Sequence, residues 1–162
     1  MIGKKEIYEL LNDAQIPYES MEHEAVYTME EMDRLGITKK GTVCKNLFLR
    51  DAKGKKHYLL CVPDERKIEL KTLHEKIGST KLSFASAERL EKYLGVQQGC
   101  VSPLGVLNDD VRNVTVIFDS VLLGEAQVGV HPNDNTATIW LSFENLYRLI
   151  REHGNEVEIV VF

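Results

Sequence analysis

The sequence predicts a mixed α/β fold built on a largely antiparallel sheet, and three observations predict it. Helical and extended segments are intermixed along 162 residues, two apolar segments flank a short turn at residues 51–54, and the other connections are short. A tight hairpin joins antiparallel neighbours, which disfavours a doubly wound parallel sheet. Because the chain has the length of one ordinary domain, we expect residues 1–162 to form a single domain.

The first half of the chain predicts two helices and a central hairpin. Apolar residues at helical spacing predict a helix over residues 4–14, and residues 18–23 are expected to be extended. Thr28 followed by Glu31 has the pattern of a capping box, which predicts a short helix. Strands are expected over residues 43–50 and 56–63, and their apolar content predicts a central position in the sheet.

The second half predicts three helices and several strands. Helices are expected over residues 69–77, 86–94 and 142–153, because apolar residues recur on one face and glycines follow. Strands are expected at residues 82–84, 106–107, 114–118, 127–130 and 157–162.

Composition limits the classes of function. The net charge is −5, from 20 basic and 25 acidic side chains, so any RNA contact must be local. A locally basic stretch does occur, and its pattern is also typical of a solvated hairpin turn. It comprises Lys39, Lys40, Lys45, Arg50, Lys53, Lys55 and Lys56.

The N-terminus lacks the features of a secretory signal, and no apolar run is long enough to cross a bilayer. We therefore expect a cytoplasmic protein that binds neither membrane nor DNA. Three widely spaced cysteines, Cys44, Cys61 and Cys100, are typical of small buried side chains in a reducing compartment.

Common catalytic motifs are absent from the sequence. It contains no phosphate loop, dinucleotide glycine fingerprint, nucleophile elbow or zinc-protease helix. His57 and Cys61 would share one face of a strand, but no second ligand pair accompanies them. We expect no metal and no cofactor.

One strand carries an unusual pair of polar residues. The segment VCKNLFLR places Lys45 and Asn46 in apolar surroundings, where an unpaired ammonium is costly unless it has a use. The alternative is a lysine whose stem covers apolar surface while its charge reaches solvent. Two loops, residues 99–103 and 129–138, are rich in turn formers and fit either ligand binding or plain turns.

Five ordered segments closely resemble the YbaK/ProX family, and within it the free-standing prolyl-tRNA editing proteins of the alanyl-tRNA(Pro) deacylase type. The segments are HEAVYT (23–28), VCKNLFLRD (43–51), KHYLLCV (56–62), LSFASAERLEKYLGVQQGCVSPLGVLND (82–109) and GVHPNDNTATIWLS (129–142). Together they span nearly the whole chain. The resemblance implies a single α/β domain with a twisted, partly barrel-like sheet surrounded by helices.

The resemblance also implies a function and a site. The function is trans-editing, in which the ester of mischarged alanyl-tRNA(Pro) is hydrolysed and prolyl-tRNA(Pro) is spared because proline is too large. The expected partners are the acceptor end of mischarged tRNA(Pro) and prolyl-tRNA synthetase. The family's essential lysine falls on Lys45, its asparagine on Asn46 and its histidine on His131. Its GXXXP loop falls on Gly99, Cys100, Val101, Ser102 and Pro103.

Further residues are expected near the substrate. Phe48 and the GXXXP loop are candidate pocket walls, and Asp134 and Asn135 are candidates for substrate contact. No catalytic role is expected of Cys100. An aminoacyl ester is labile, so a placed water and a stabilised oxyanion suffice without a dedicated nucleophile.

Several alternatives stay open from the sequence. Lys45 fits a contact with the carbonyl oxygen, a contact with the terminal phosphate, or a role as base. Asn46 and His131 fit turn or strand-end roles as well as substrate or water binding. The substrate alternatives are cysteinyl-tRNA(Pro) or another small aminoacyl ester, and the functional alternative is a noncatalytic module that binds tRNA or the synthetase.

Overall fold

The computed structural model describes every residue from 1 to 162. The helices are α1 (Lys4–Asp13), α2 (Met29–Arg34), α3 (Leu70–Ile77), α4 (Ala87–Arg89) and α5 (Phe143–His153). The strands are β1 (Glu19–Glu22), β2 (Thr42–Arg50), β3 (His57–Pro63), β4 (Ser83–Phe84), β5 (Val114–Asp119), β6 (Val128–Val130), β7 (Ala137–Leu141) and β8 (Val157–Val160). No helix is long and apolar enough to span a membrane.

All eight strands belong to one mixed sheet, which confirms the predicted fold class. The strand order is β1-β7-β6-β2-β3-β5-β8, and β4 pairs with the end of β2. Four pairings are antiparallel and three are parallel. The outermost strands β1 and β8 do not pair with each other, so the sheet stays open rather than closing into a barrel.

The predicted hairpin forms the centre of the sheet. β2 and β3 pair from Cys44 opposite Pro63 to Arg50 opposite His57, and every residue of β3 is buried. Successive side chains of a strand point to opposite faces. Cys44 and Phe48 accordingly join the largest core cluster, whereas Leu49 packs into a second cluster that contains Leu73 of α3.

Thr28 caps the start of α2 as predicted, but the second bond of a capping box, from the Thr28 backbone amide to the Glu31 side chain, does not form. The Thr28 side chain accepts a hydrogen bond from the Glu31 amide at 3.2 Å, and the Thr28 hydroxyl donates to the Glu31 carboxylate, also at 3.2 Å. Such bonds satisfy amides that the first helical turn leaves unpaired.

The strand predicted at Val106 and Leu107 is wrong. Both residues lie in a 3-10 helix over Pro103–Asn108, which begins when the Ser102 hydroxyl accepts a hydrogen bond from the Leu104 amide at 3.2 Å. Pro103 stands at the first helical position, where a missing amide hydrogen does no harm. The helix predicted over residues 86–94 is also irregular, since α4 continues into a π turn over Leu90–Leu94.

Candidate active site

A gap in the sheet opens where β2 separates from β6. The two strands run parallel and pair only at Thr42 with Val128 and Val43 with Gly129. Farther along the same edge of β2, the next pairing is with β4 at Leu49 and Arg50. No strand therefore covers this edge at residues 44–47, and Lys45 and Asn46 stand within the gap.

A cavity of about 230 Å³ occupies this gap. Twelve residues line it, and they come from the segment around α2, from the start of β2, from the end of β3 and from the two predicted loops. They are Val26, Tyr27, Thr28, Met29, Met32, Cys44, Lys45, Asn46, Asp64, Gly99, Val101 and His131. The structure thus brings together all three residues predicted to be catalytic.

Lys45 and Asn46 present polar groups without protein partners. The half-buried Lys45 ammonium forms no ion pair within 4.0 Å. The side-chain oxygen of Asn46 is buried and accepts no hydrogen bond. A buried acceptor without a donor costs roughly 1–3 kcal/mol, so the Asn46 oxygen is available to a donor from a ligand.

His131 contributes a neutral imidazole. Its Nδ1–H donates to the Ala137 carbonyl at 3.1 Å, because a carbonyl can only accept, and Nε2 is left without a partner. Burial lowers the pKa of His131 below its ordinary value, and the bond to Ala137 opposes that shift only in part. At neutral pH, Nε2 is therefore an unprotonated acceptor on the cavity wall.

Asp64 adds a carboxylate that the sequence did not predict. It follows directly after β3, and its backbone amide donates to the Val43 carbonyl at 3.1 Å. Burial raises the pKa of Asp64, whereas the positive charge of Lys45 acts to lower it. The cavity therefore holds one ammonium and one carboxylate whose charges interact without a direct ion pair.

The apolar wall comes from α2 and the segment before it. Met29 and Met32, one helical turn apart, line the cavity together with Val26. Tyr27 lies at the mouth and is 71% exposed. The sequence predicted α2 as a helix but gave no sign that its methionines face Lys45.

The GXXXP loop contributes only two residues to the cavity, Gly99 and Val101. Gly99 has a φ of +88°, and a Cβ there would lie 2.9 Å from the Tyr27 ring, so the close approach of this loop requires glycine. Ser102 and Pro103 are buried at the start of the 3-10 helix. Cys100 packs against the main core, and burial raises the pKa of its thiol, which disfavours a nucleophilic thiolate.

Three other predicted residues do not line the cavity. Phe48 lies in the main core, stacked on His57 with ring centroids 5.5 Å apart, so it is not a pocket wall. Asp134 accepts a hydrogen bond from the Thr136 amide at 2.8 Å, and Asn135 donates to the Val26 carbonyl at 3.4 Å. Asp134 shapes the loop that carries His131, and Asn135 ties this loop to the segment before α2.

A larger cavity of about 510 Å³ lies elsewhere, between the start of β2 and the 3-10 turn at Ser120–Leu122. Its most prominent cation, Arg66, is already paired with the buried Asp119 at 2.8 Å. No residue that lines it has a buried polar atom without a hydrogen-bond partner, whereas Asn46 in the smaller cavity does, so we place the site in the smaller cavity.

Both ring nitrogens of His57 contact protein side chains. Its Nδ1 contacts the side-chain oxygen of Asn113 at 2.5 Å, and its Nε2 contacts Arg89 at 2.8 Å. No group of three or more His, Cys, Asp or Glu side chains is arranged to hold a metal ion.

Comparisons with known proteins show the family of this chain. Residues 23–149 match the family model described as an aminoacyl-tRNA editing domain. The chain is 49% identical over 160 residues to the prolyl-tRNA editing protein ProX of Acetoanaerobium sticklandii, covering 99% of this chain and 98% of that protein. It is 35% identical to prolyl-tRNA synthetase associated domain-containing protein 1 of Danio rerio, covering 98% and 87%.

A solved structure agrees at the level of the fold. It is described as a candidate trans-editing enzyme for prolyl-tRNA synthetase, with a TM-score of 0.72, 20% identity, and coverage of 97% of this chain and 95% of that one. The protein is thus of the class of α/β domains that have a polar cavity at a gap between two strands of the sheet. The chain belongs to the aminoacyl-tRNA editing domain family, which confirms the resemblance to the YbaK/ProX proteins.

Proposed function

We propose that this protein is a trans-editing aminoacyl-tRNA deacylase that hydrolyses the ester of alanyl-tRNA(Pro) and spares prolyl-tRNA(Pro). The observation that carries it is the joint presence of Lys45, Asn46 and His131 on one small cavity. The similarity to ProX supports tRNA(Pro) as the RNA and prolyl-tRNA synthetase as a partner in substrate delivery.

The polar groups suit hydrolysis of an aminoacyl ester. The neutral Nε2 of His131 holds a water and accepts its proton as the water oxygen attacks the ester carbonyl carbon. The Lys45 ammonium stabilises the negative charge that develops on the carbonyl oxygen, which is effective in a partly dry site. When the ester bond breaks, the proton passes to the ribose oxygen, and alanine and uncharged tRNA leave.

The substrate's amino group requires an acceptor. The Asn46 side-chain oxygen lacks a donor, and the Asp64 carboxylate lines the same cavity. We assign the α-ammonium group to these two acceptors. An ammonium with three donors satisfies both groups at once, which removes the cost of leaving them unpaired.

The cavity's modest size and apolar wall support a small apolar amino acid as the substrate. At about 230 Å³ the cavity is smaller than the 300–1,000 Å³ typical of sites for drug-sized ligands. Val26, Met29 and Met32 provide an apolar surface for a methyl side chain. We propose that this wall lies too close to the bound ester for a pyrrolidine ring, since steric exclusion discriminates better than one missing methylene does.

The proposal is tested by deacylation assays on alanyl-, prolyl-, cysteinyl- and seryl-tRNA(Pro). We expect alanine release by wild type, little release of proline, and a loss of at least about 100-fold for Lys45→Ala. Lys71→Ala, an exposed change on α3, serves as the control. Equal rates for wild type and Lys45→Ala overturn the mechanism. If cysteine is released faster than alanine, the substrate is cysteinyl-tRNA(Pro) rather than alanyl-tRNA(Pro). If the protein binds the tRNA but hydrolyses none of the esters, it is a binding module.

A further inference from the structure

The hairpin turn between β2 and β3 carries a cluster of cations that the proposed chemistry does not use. Residues 50–56 contain four cationic side chains and one carboxylate, although the whole protein has a net charge of −5. Lys53, Lys55 and Lys56 are exposed, and none forms an ion pair within 4.0 Å. The single carboxylate, Asp51, is occupied by the backbone amides of Lys55 and Lys56.

The turn is held rigidly from several sides. Arg89 donates to the Gly54 carbonyl at 2.9 Å, and Asn113 donates to the Lys55 carbonyl at 3.0 Å. The Ala52 amide donates to the Thr80 hydroxyl at 3.0 Å. These bonds fix the backbone while the lysine side chains stay free. A turn whose backbone is already fixed loses less conformational entropy when its lysines bind a partner. A turn that only contacts solvent has no need of such a fixed backbone.

The turn and the cavity lie along the same edge of one strand. Lys45 stands near the start of β2 and Arg50 at its end, about 17 Å apart at about 3.3 Å per residue. Between the gap and the turn, β4 pairs with the edge of β2, and the Ala85 amide donates to the Phe48 carbonyl at 2.9 Å.

An exposed aromatic ring lies on this route. Phe84 of β4 is 62% exposed, which is unusual for a phenylalanine in a chain with few exposed aromatic residues. Aromatic rings beside cationic side chains are a common arrangement for unpaired RNA, because bases stack on the ring while phosphates contact the cations.

We propose that Phe84 and the cationic turn Lys53, Lys55 and Lys56 form the surface on which the acceptor arm of the substrate tRNA lies. The inference rests on the proposed function, because it requires the 3′ end of that RNA to enter the cavity. The unpaired nucleotides next to the ester pass Phe84, and the phosphates farther from the ester contact the lysines. This surface gives an acidic protein a local attraction for RNA.

The test compares a long substrate with a short one. Lys53→Glu/Lys55→Glu/Lys56→Glu is assayed on alanyl-tRNA(Pro) and on an alanyl ester of the trinucleotide that ends tRNA. We expect kcat/KM to fall about tenfold or more on the tRNA at low salt, and to stay near wild type on the trinucleotide. The slope of log kcat/KM against log salt should become shallower by about one for each phosphate that the variant no longer binds.

A matched variant controls for net charge. Lys5→Glu/Lys71→Glu/Arg151→Glu changes the charge equally at exposed positions on three helices away from the turn. We expect it to keep most of its activity on both substrates. If the two triple variants lose activity on the tRNA equally, or the turn variant loses activity on the trinucleotide equally, the proposed surface is wrong.

Phe84→Ala tests the stacking step separately. We expect a loss of about tenfold on both RNA substrates with an unchanged melting temperature, because the ring is exposed. If Phe84→Ala keeps wild-type activity on both substrates, Phe84 does not belong to the proposed RNA-binding surface.

Direct binding separates this inference from the proposed function. Fluorescence anisotropy with uncharged tRNA(Pro) needs no hydrolysis, so it decides on the surface even if no ester is cleaved. Binding weakened in the turn variant, but not in the control variant, supports the surface. RNA binding that is unchanged, with a lost interaction with prolyl-tRNA synthetase instead, overturns it in favour of a protein contact.

Discussion

Asp64 stands next to Lys45 without pairing with it, and this arrangement suits a substrate that carries its own charge. An ammonium group of the substrate can take the position between the carboxylate and the Asn46 oxygen, while Lys45 remains free for the ester. A direct pair between Lys45 and Asp64 would instead have neutralised both groups.

This arrangement predicts how the protein responds to a blocked amino group. Wild type should hydrolyse N-acetyl-alanyl-tRNA(Pro) at least about tenfold more slowly than alanyl-tRNA(Pro), because the blocked amine leaves Asp64 unpaired. Asp64→Asn should lose most of that difference, mainly through a higher KM for the free amine. Discrimination that survives intact in Asp64→Asn contradicts the assignment.

His131 predicts a pH dependence. Only its neutral form accepts a proton from water, and burial lowers the pKa of His131 below its ordinary 6.5. Activity should therefore persist below pH 6.5 and fall only as pH drops through the lowered value. Charged or titratable neighbours are His23, Asp134, Asp64 and Lys45, and of these His23 lowers and Asp134 raises the pKa of His131.

The measurement is kcat/KM against pH, after subtraction of the uncatalysed rate. His131→Gln should remove the acid limb together with most of the activity, whereas Asp64→Asn should leave the limb in place. An acid limb that remains in His131→Gln, or that disappears in Asp64→Asn, assigns the titration to a different group.

At the scale of elements, sequence patterns were sufficient where neighbours in space are neighbours in the chain. The β2–β3 hairpin, the capped α2 and α5 all follow from local spacing and turn residues. The wall formed by Met29 and Met32 could not be predicted, because these side chains pack with Val43 and Trp140, which are distant in the chain.

The same limit explains the errors. Val106 and Leu107 are apolar neighbours in a short segment, and such a segment does not distinguish a strand from a buried helical turn. Phe48 was predicted as a pocket wall. It packs instead into the core beside the rings of His57 and Tyr93, which come from distant parts of the chain.

The pairing of β6 with β7 positions His131, and one contact there is unusually close. Gly129 lies opposite Trp140, and a Cβ on Gly129 would meet the indole ring at 2.7 Å. Gly129→Ala should therefore destabilise the protein by about 1–3 kcal/mol, because the buried ring cannot move freely. Urea unfolding measures this change, and a raised KM for alanyl-tRNA(Pro) would report the shift of His131.

A second glycine provides the control. Gly3→Ala adds a Cβ whose nearest neighbour, an oxygen of Glu6, lies 3.7 Å away at the start of α1. Its cost should be below about 1 kcal/mol, with an unchanged KM. If the two substitutions change the free energy of unfolding and the KM equally, the contact with Trp140 is not the reason for glycine at position 129.

At the scale of the whole molecule, the strand that carries Lys45 joins all parts of the core. β2 contributes Val43 to the cluster around Trp140, Cys44 and Phe48 to the largest cluster, and Leu49 to the cluster under α3. The cavity is lined by residues of two of these clusters, Val26 and Met32 from the cluster around Trp140 and Cys44 from the largest. Loosening either of these two clusters is expected to affect the geometry of the cavity.

This connection predicts that residues 1–162 unfold as one cooperative domain. Trp140, the one tryptophan, reports on the smallest cluster, whereas far-ultraviolet circular dichroism reports on all helices and strands. We expect the two urea transitions to coincide, because β2 cannot leave one cluster without disturbing the others. Val43→Ala should shift both midpoints together, at a cost of about 1–3 kcal/mol. A Trp140 transition that precedes the dichroism transition would show that β1, β6 and β7 unfold separately, and would divide the chain into two units.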